Sequence, residues 1–241
     1  MSIESVATPD APGSLQVSAD AGALLGLLRF TSPSLPIGAY AYSRALEYAV
    51  CSGAVHDEAS AQSWISGLTF HSAAHLEAPV LLRLHAAFST EDYTAITRWN
   101  ALLLASRESR ELRLEDAQLG AALARLLVSQ GISRAQPYCK RDDVCYATMF
   151  ALATVSWRVP AEAALLGMLW AQVESQVSAA VRLIPLGQTA GQNMLTHLSR
   201  ELPACISIAR TLADDDIGAF TPGLALASAL HETQYTRLFR S

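Results

Sequence analysis

The sequence predicts an all-α protein, a single-domain helical bundle. Three observations carry this. Apolar residues make up 51% of the chain but aromatics only 7%, so alanine and leucine, both strong helix formers, supply most of the apolar surface. Apolar residues recur at three- and four-residue spacing along most of the chain. No stretch alternates apolar and polar residues as a half-buried strand would, and the breaks between periodic segments are short.

Taken in order, residues 1–19 hold Pro9, Pro12, Gly13 and several serines without an apolar face, and are expected to form a disordered tail before a helical domain of residues 20–241. A short helix from about Ala21 to Phe30 should bury Leu24, Leu25, Leu27 and Leu28. A proline-bracketed turn follows. Pro33 and Pro36 push Ser32 and Leu35 toward extended backbone, and Gly38 admits angles that other residues avoid. A helix from about Tyr42 carries Leu46, Ala49 and Val50 and should stop at Gly53. Asp57 can cap the next helix, with Trp64, Ile65 and Leu68 on one face. Helix should continue from His71 to Ala87 with a break near Pro79.

Thr90 can cap a helix containing Tyr93, Ile96, Trp99, Leu102 and Leu103. After a charged stretch, Leu119, Leu123, Leu126 and Leu127 mark an amphipathic helix ending near Gly131. Asp142 or Asp143 can cap a helix to about Trp157. Pro160 suits the first turn of a long helix through Leu183. Pro185-Leu186-Gly187 breaks it. One helix from about Gln188 to Thr211 should kink at Pro203. An acidic loop at Asp214, Asp215 and Asp216 precedes a last helix that starts after Thr221-Pro222 and runs close to Ser241.

Charged residues are sparse at 16%, and the formal net charge is −5. That balance excludes broad nucleic-acid binding, which depends on Lys and Arg against phosphate. The first twenty residues lack a basic n-region and an apolar segment, and no apolar run reaches the ~18–20 residues of a membrane span. A cytoplasmic protein away from the membrane is expected. So little charge beside so much apolar surface points to a partner interface or an oligomer. Cys51, Cys139, Cys145 and Cys205 are scattered and read as free thiols.

Candidate chemistry is thin. His71 and His75 share a helix face near Glu77, a spacing that can hold zinc or nickel, and a metal-dependent helical enzyme on these three is an alternative reading. However, Ser72 occupies the position of the glutamate in HExxH, and Ala78, Val80, Leu81 and Leu84 read as packing. His56, His85 and His197 stand alone. Gly187-Gln188-Thr189-Ala190-Gly191-Gln192 lacks the Lys-Ser/Thr ending of a P-loop. No catalytic residue, metal site or cofactor is expected. By residue type, the stretch from Ser106 to Arg113 reads as a solvated face laced by short-range ion pairs.

Three separated motifs carry a family resemblance. The first is Ser32-Pro33, Pro36-Ile37-Gly38, Tyr40-Ala41-Tyr42-Ser43 and Leu46-Glu47. The second is Glu174-Ser175-Gln176 followed by Arg182, Pro185-Leu186-Gly187-Gln188 and Gln192. The third is His231-Glu232, Tyr235 and Arg237-Leu238-Phe239. In this order they resemble the UreF family of urease accessory proteins, and the arginine-rich stretch before Gln118 fits that family's central helix. Ala45 stands where many members carry glycine, Ala39 where glycine or serine is common, and Ser175 where asparagine is common.

The resemblance implies an all-helical homodimer without catalysis of its own. It also implies a scaffold that bridges UreD (UreH in some organisms) and the GTPase UreG. Such a scaffold regulates GTP-dependent nickel insertion into apo-urease. On that reading Tyr40, Tyr42, Ser43 and Glu47 form one outward face toward the GTPase. Tyr235, Arg237 and Phe239 act through a C-terminal tail, in which the i, i+3, i+4 spacing of Tyr235, Leu238 and Phe239 suits a helix in a groove. Gly187, Gln188 and Gln192 shape a turn near an interface. A generic helical adaptor unrelated to urease is the remaining alternative.

Overall fold

The computed structural model describes residues 21–241, so the expected tail lies outside the described residues. The described residues form eleven α-helices and no strand. They are α1 (Ala21–Thr31), α2 (Leu46–Cys51), α3 (Glu58–Leu68), α4 (Glu77–Thr90), α5 (Tyr93–Ala105), α6 (Arg110–Ser129), α7 (Tyr146–Ser156), α8 (Ala161–Leu183), α9 (Gln188–Ser199), α10 (Leu202–Thr211) and α11 (Pro222–His231). Helix α7 is the hub. Every residue from Ala147 to Thr154 is buried, as expected of a helix without a polar face. Helices α4 and α6 pack on it, and α8 spans α1, α4, α9 and α10. Gly120 lets α6 approach the start of α7, since a Cβ there would lie 2.0 Å from the Val144 carbonyl oxygen.

Several starts and stops follow local chemistry. Asp57 and Ser60 form a reciprocal capping box on α3. Gly53 and Gly131 sit at φ 79° and 83° beyond the ends of α2 and α6. The long helix begins directly after Pro160 and stops before Pro185-Leu186-Gly187.

Other expectations are corrected. Leu24, Leu25 and Leu28 of α1 are exposed, and the buried stripe is Ala23, Gly26 and Phe30. Gly26 selects that face because a Cβ there would meet Trp157 at 2.9 Å. The helix expected from Tyr42 starts at Leu46, because Arg44 and Ala45 adopt left-handed backbone. The break expected at Pro79 lies earlier, in the π-turn Thr69–Ala73 and the turn to Leu76. Pro79 sits in the first turn of α4, where no intrahelical N–H bond is lost. Asp92, not Thr90, caps α5.

Neither Asp142 nor Asp143 caps α7. Asp116 of α6 does so from across the fold, its Oδ1 accepting from the Tyr146 N–H at 2.7 Å. The single helix expected from Gln188 to Thr211 is two, α9 and α10, and Pro203 lies in the first turn of the second. Helix α11 ends at His231, and the ten residues after it are not helical.

Candidate functional site

Residues 232–241 form a strap that returns across the bundle to the proline-bracketed turn. Glu47 anchors it, accepting from the backbone N–H groups of Leu238 at 2.6 Å and Phe239 at 2.8 Å. The Arg240 N–H donates to the Ala41 carbonyl, and the Ser43 N–H donates to the Ser241 carbonyl. That same carbonyl accepts from the Ser43 hydroxyl at 2.5 Å, and the Ser241 hydroxyl donates to Glu115 at 2.5 Å. His231, fully buried at the end of α11, has one ring nitrogen 3.3 Å from Glu47 and the other 2.6 Å from Glu111. Glu111 also accepts from Arg237. Charged partners make these bonds stronger than neutral ones, so an irregular segment is held without helix or sheet.

The second motif closes the same site from α8. Gln176 donates to the Ser43 carbonyl at 3.0 Å, and Arg182 donates to the Tyr40 carbonyl at 3.1 Å. The Arg182 guanidinium lies 4.7 Å from the centre of the Phe239 ring. The three motifs, distant in sequence, therefore meet around one turn.

Beneath it lies a buried charge cluster. Glu77, 2% exposed, takes Arg107 at 2.6 Å and Arg44 at 2.9 Å on one carboxylate oxygen. Arg107 also forks onto Asp116, at 2.9 and 2.8 Å. Arg44 reaches Glu115 at 3.9 Å. Burial alone would raise the Glu77 carboxyl, but the two guanidiniums overcome it and hold the group at about 2. Glu115 lacks such compensation. Burial pushes its carboxyl above the ordinary value, with Arg44 pulling the other way. Burial, with Asp116 nearby, pushes the Cys145 thiol far up, which makes it inert.

A cavity of about 380 Å³ opens between the turn, α8 and α9, with Tyr40, Tyr42, Gln176, Arg182, Gln188 and Gln192 among its walls.

The expected site residues therefore divide. Tyr40 is displayed, 69% exposed, and Tyr235, Gly187, Gln188 and Gln192 are exposed too. Tyr42, Ser43, Glu47 and Phe239 are buried within this chain, which corrects the expected outward face. Tyr42 instead spends its hydroxyl on Gln118. Arg237 is partly covered by Glu111. The tail is not a helix and packs in cis.

His71, His75 and Glu77 do not converge as the metal reading required. Glu77 is engaged by arginines, His75 faces the Phe70 carbonyl, and His71 is exposed. No group of three His, Cys, Asp or Glu among the described residues could hold a metal ion.

The stretch expected as a solvated face is the other correction. Arg107 is buried between Glu77 and Asp116, Ser109 caps α6, and Glu111 holds His231 and Arg237. A signal was present. Glu115 and Asp116 share the helical spacing of Leu112, Leu119 and Leu123, which places charge on the buried stripe.

Comparison with known proteins agrees with the motif order. The UreF family profile matches residues 55–199. A urease accessory protein UreF of Alkalilimnicola ehrlichii is 45% identical over 215 residues, covering 89% of this chain and 94% of the relative. The UreF of Teredinibacter turnerae is 45% identical over 218 residues, covering 90% and 98%. The UreF of Chromohalobacter salexigens is 46% identical over 222 residues, covering 91% and 95%. With a strapped, proline-bracketed turn tying all three motifs together and relatives matched along nearly their whole length, this chain belongs to the UreF family of urease accessory proteins.

Proposed function

We propose that this protein is a non-catalytic scaffold in urease maturation. It works as a homodimer in the cytoplasm, bridges UreD (or UreH) and the GTPase UreG, and regulates GTP-dependent insertion of nickel into apo-urease. Nickel is the cargo of that assembly rather than a resident cofactor of this chain. The observation that carries the reading is Tyr40, an exposed aromatic on a turn held from beneath by Arg182 and by the strap. Exposed aromatics on rigid backbone suit protein docking because little conformational entropy is lost on binding. Gln188 and Gln192, on α9, line the same cavity as Tyr40.

A pull-down with the tagged chain, the GTPase and the UreD-type protein, with and without GTP, tests this. Both partners should be retained. Tyr40→Ala should lower retention of the GTPase and urease activation while leaving the melting temperature unchanged. If neither partner is retained on the wild-type protein, the generic adaptor reading takes its place.

A further inference from the structure

On the other side of the same turn lies a second groove, of about 610 Å³, between residues 37–42 and the outer face of α6. Its floor is Ala117, Ala121 and Ala122, whose short side chains leave the hollow, and Tyr40 stands at one wall. Arg125, Arg141 and Arg240 line it against one carboxylate, Asp142. Arg141 is tied to Asp143. The side chains of Arg125 and Arg240 have no hydrogen-bond or ion-pair partner among the described residues. That runs against the chain as a whole, in which 22 acidic residues outnumber 17 basic ones. The groove is also preformed. Tyr42 bonds to Gln118 and fixes the turn to α6, and the Arg240 N–H bonds to Ala41 so that the strap delivers this arginine to the rim.

An apolar floor under unpaired guanidiniums is complementary to carboxylates flanking an apolar side chain. We propose that this groove binds an acidic amphipathic segment of a partner protein, with carboxylates on Arg125 and Arg240 and an apolar side chain on the alanine floor. The inference rests on the docking reading above, since Tyr40 borders both surfaces, and it adds the chemistry of the bound segment.

The probe is a short fluorescein-labelled helical peptide of glutamate and leucine, with a matched lysine-leucine peptide, titrated into the full chain and followed by anisotropy. The glutamate peptide should bind, weaken at high salt, and bind about tenfold more weakly to Arg125→Glu and to Arg240→Glu. Arg125→Glu alters an unpartnered surface side chain, so its circular dichroism should match wild type. Equal binding of the lysine peptide overturns the proposal, as does wild-type affinity in both variants. Light scattering supplies a separate check: conversion of a dimer to a monomer by Arg125→Glu would make a second copy the occupant and also overturn it. The pull-down is read independently. Retained partners without peptide binding sink only this inference, and peptide binding without retained partners sinks only the accessory-scaffold reading.

Discussion

Glu77, almost wholly buried, accepts two guanidiniums on one oxygen, so its charge is needed where it stands. Glu77→Gln removes the charge and leaves Arg44 and Arg107 underpaired. The expected cost is about 3–5 kcal/mol, measured by urea denaturation. The folded carboxyl is held at about 2 against an ordinary 4.5, so its contribution is present above pH 4.5 and lost as pH falls toward 2. That difference corresponds to roughly 3 kcal/mol. Wild type should lose stability steeply in that window, and Glu77→Gln much less. Glu115 has the opposite sign. Its raised carboxyl contributes stability below its unfolded value and loses it as pH rises through the folded value. Glu115→Gln should therefore be tolerated at neutral pH, with a melting temperature equal to or above wild type. Ala45 sits at φ 65° and is fully buried against Leu112, Leu224 and Ala227. Glycine there would relieve about 1–2 kcal/mol of backbone strain but lose about 0.8 kcal/mol of methyl burial and some unfolded-state entropy. These nearly cancel, so Ala45→Gly should leave the melting temperature within a few degrees of wild type.

At the scale of elements, the strap is the segment most dependent on a few polar bonds. Beyond the turn at Glu232, Thr233 and Gln234 it makes no helical hydrogen bonds, and Glu47 supplies acceptors for two of its N–H groups. Glu47→Gln keeps one acceptor oxygen and puts an NH2 donor in place of the other, so it should weaken one charge-assisted bond and abolish the second, each worth about 1.5–3 kcal/mol. Hydrogen exchange at the Leu238 and Phe239 amides should then rise by tenfold or more while α7 and α8 keep their protection. Phe239→Ala should cost about 3 kcal/mol, because its ring is buried under Arg182. The expected terminal helix failed for a related reason. The spacing of Tyr235, Leu238 and Phe239 allows one, but Glu47 and Ala41 offer backbone partners that only an irregular chain can use. Asp116 shows the same competition, since it caps α7 from another helix while the local candidate Asp143 is taken by Arg141.

Over the whole molecule, the excess of apolar residues over charge does not end in the core. Leu24, Leu25 and Leu28 of α1 are exposed, and so are Phe220, Leu226, Leu230, Tyr235 and Leu238 around α11 and the strap. The chain should therefore self-associate or lose solubility when isolated at high concentration, measurable by light scattering against concentration. The all-α class, the breaks at Gly53, Gly131 and Pro185, and the cap at Asp57 were legible in the sequence because each is set by residues within a few positions. Family membership was legible too, from three ordered motifs. What those motifs do to one another was not. Ser43 meets Ser241, Gln176 meets Ser43, and Arg107 is buried through Glu77, contacts between residues 198, 133 and 30 positions apart. A charged residue reads as solvated until its partner is known, and a tyrosine reads as displayed until its neighbours are. The sequence by itself determined the helices and the lineage through short-range periodicity, whereas tertiary packing decided that Tyr40 faces out, Tyr42 faces in and the chain end is a strap, because burial and pairing of polar groups depend on residues far apart in sequence.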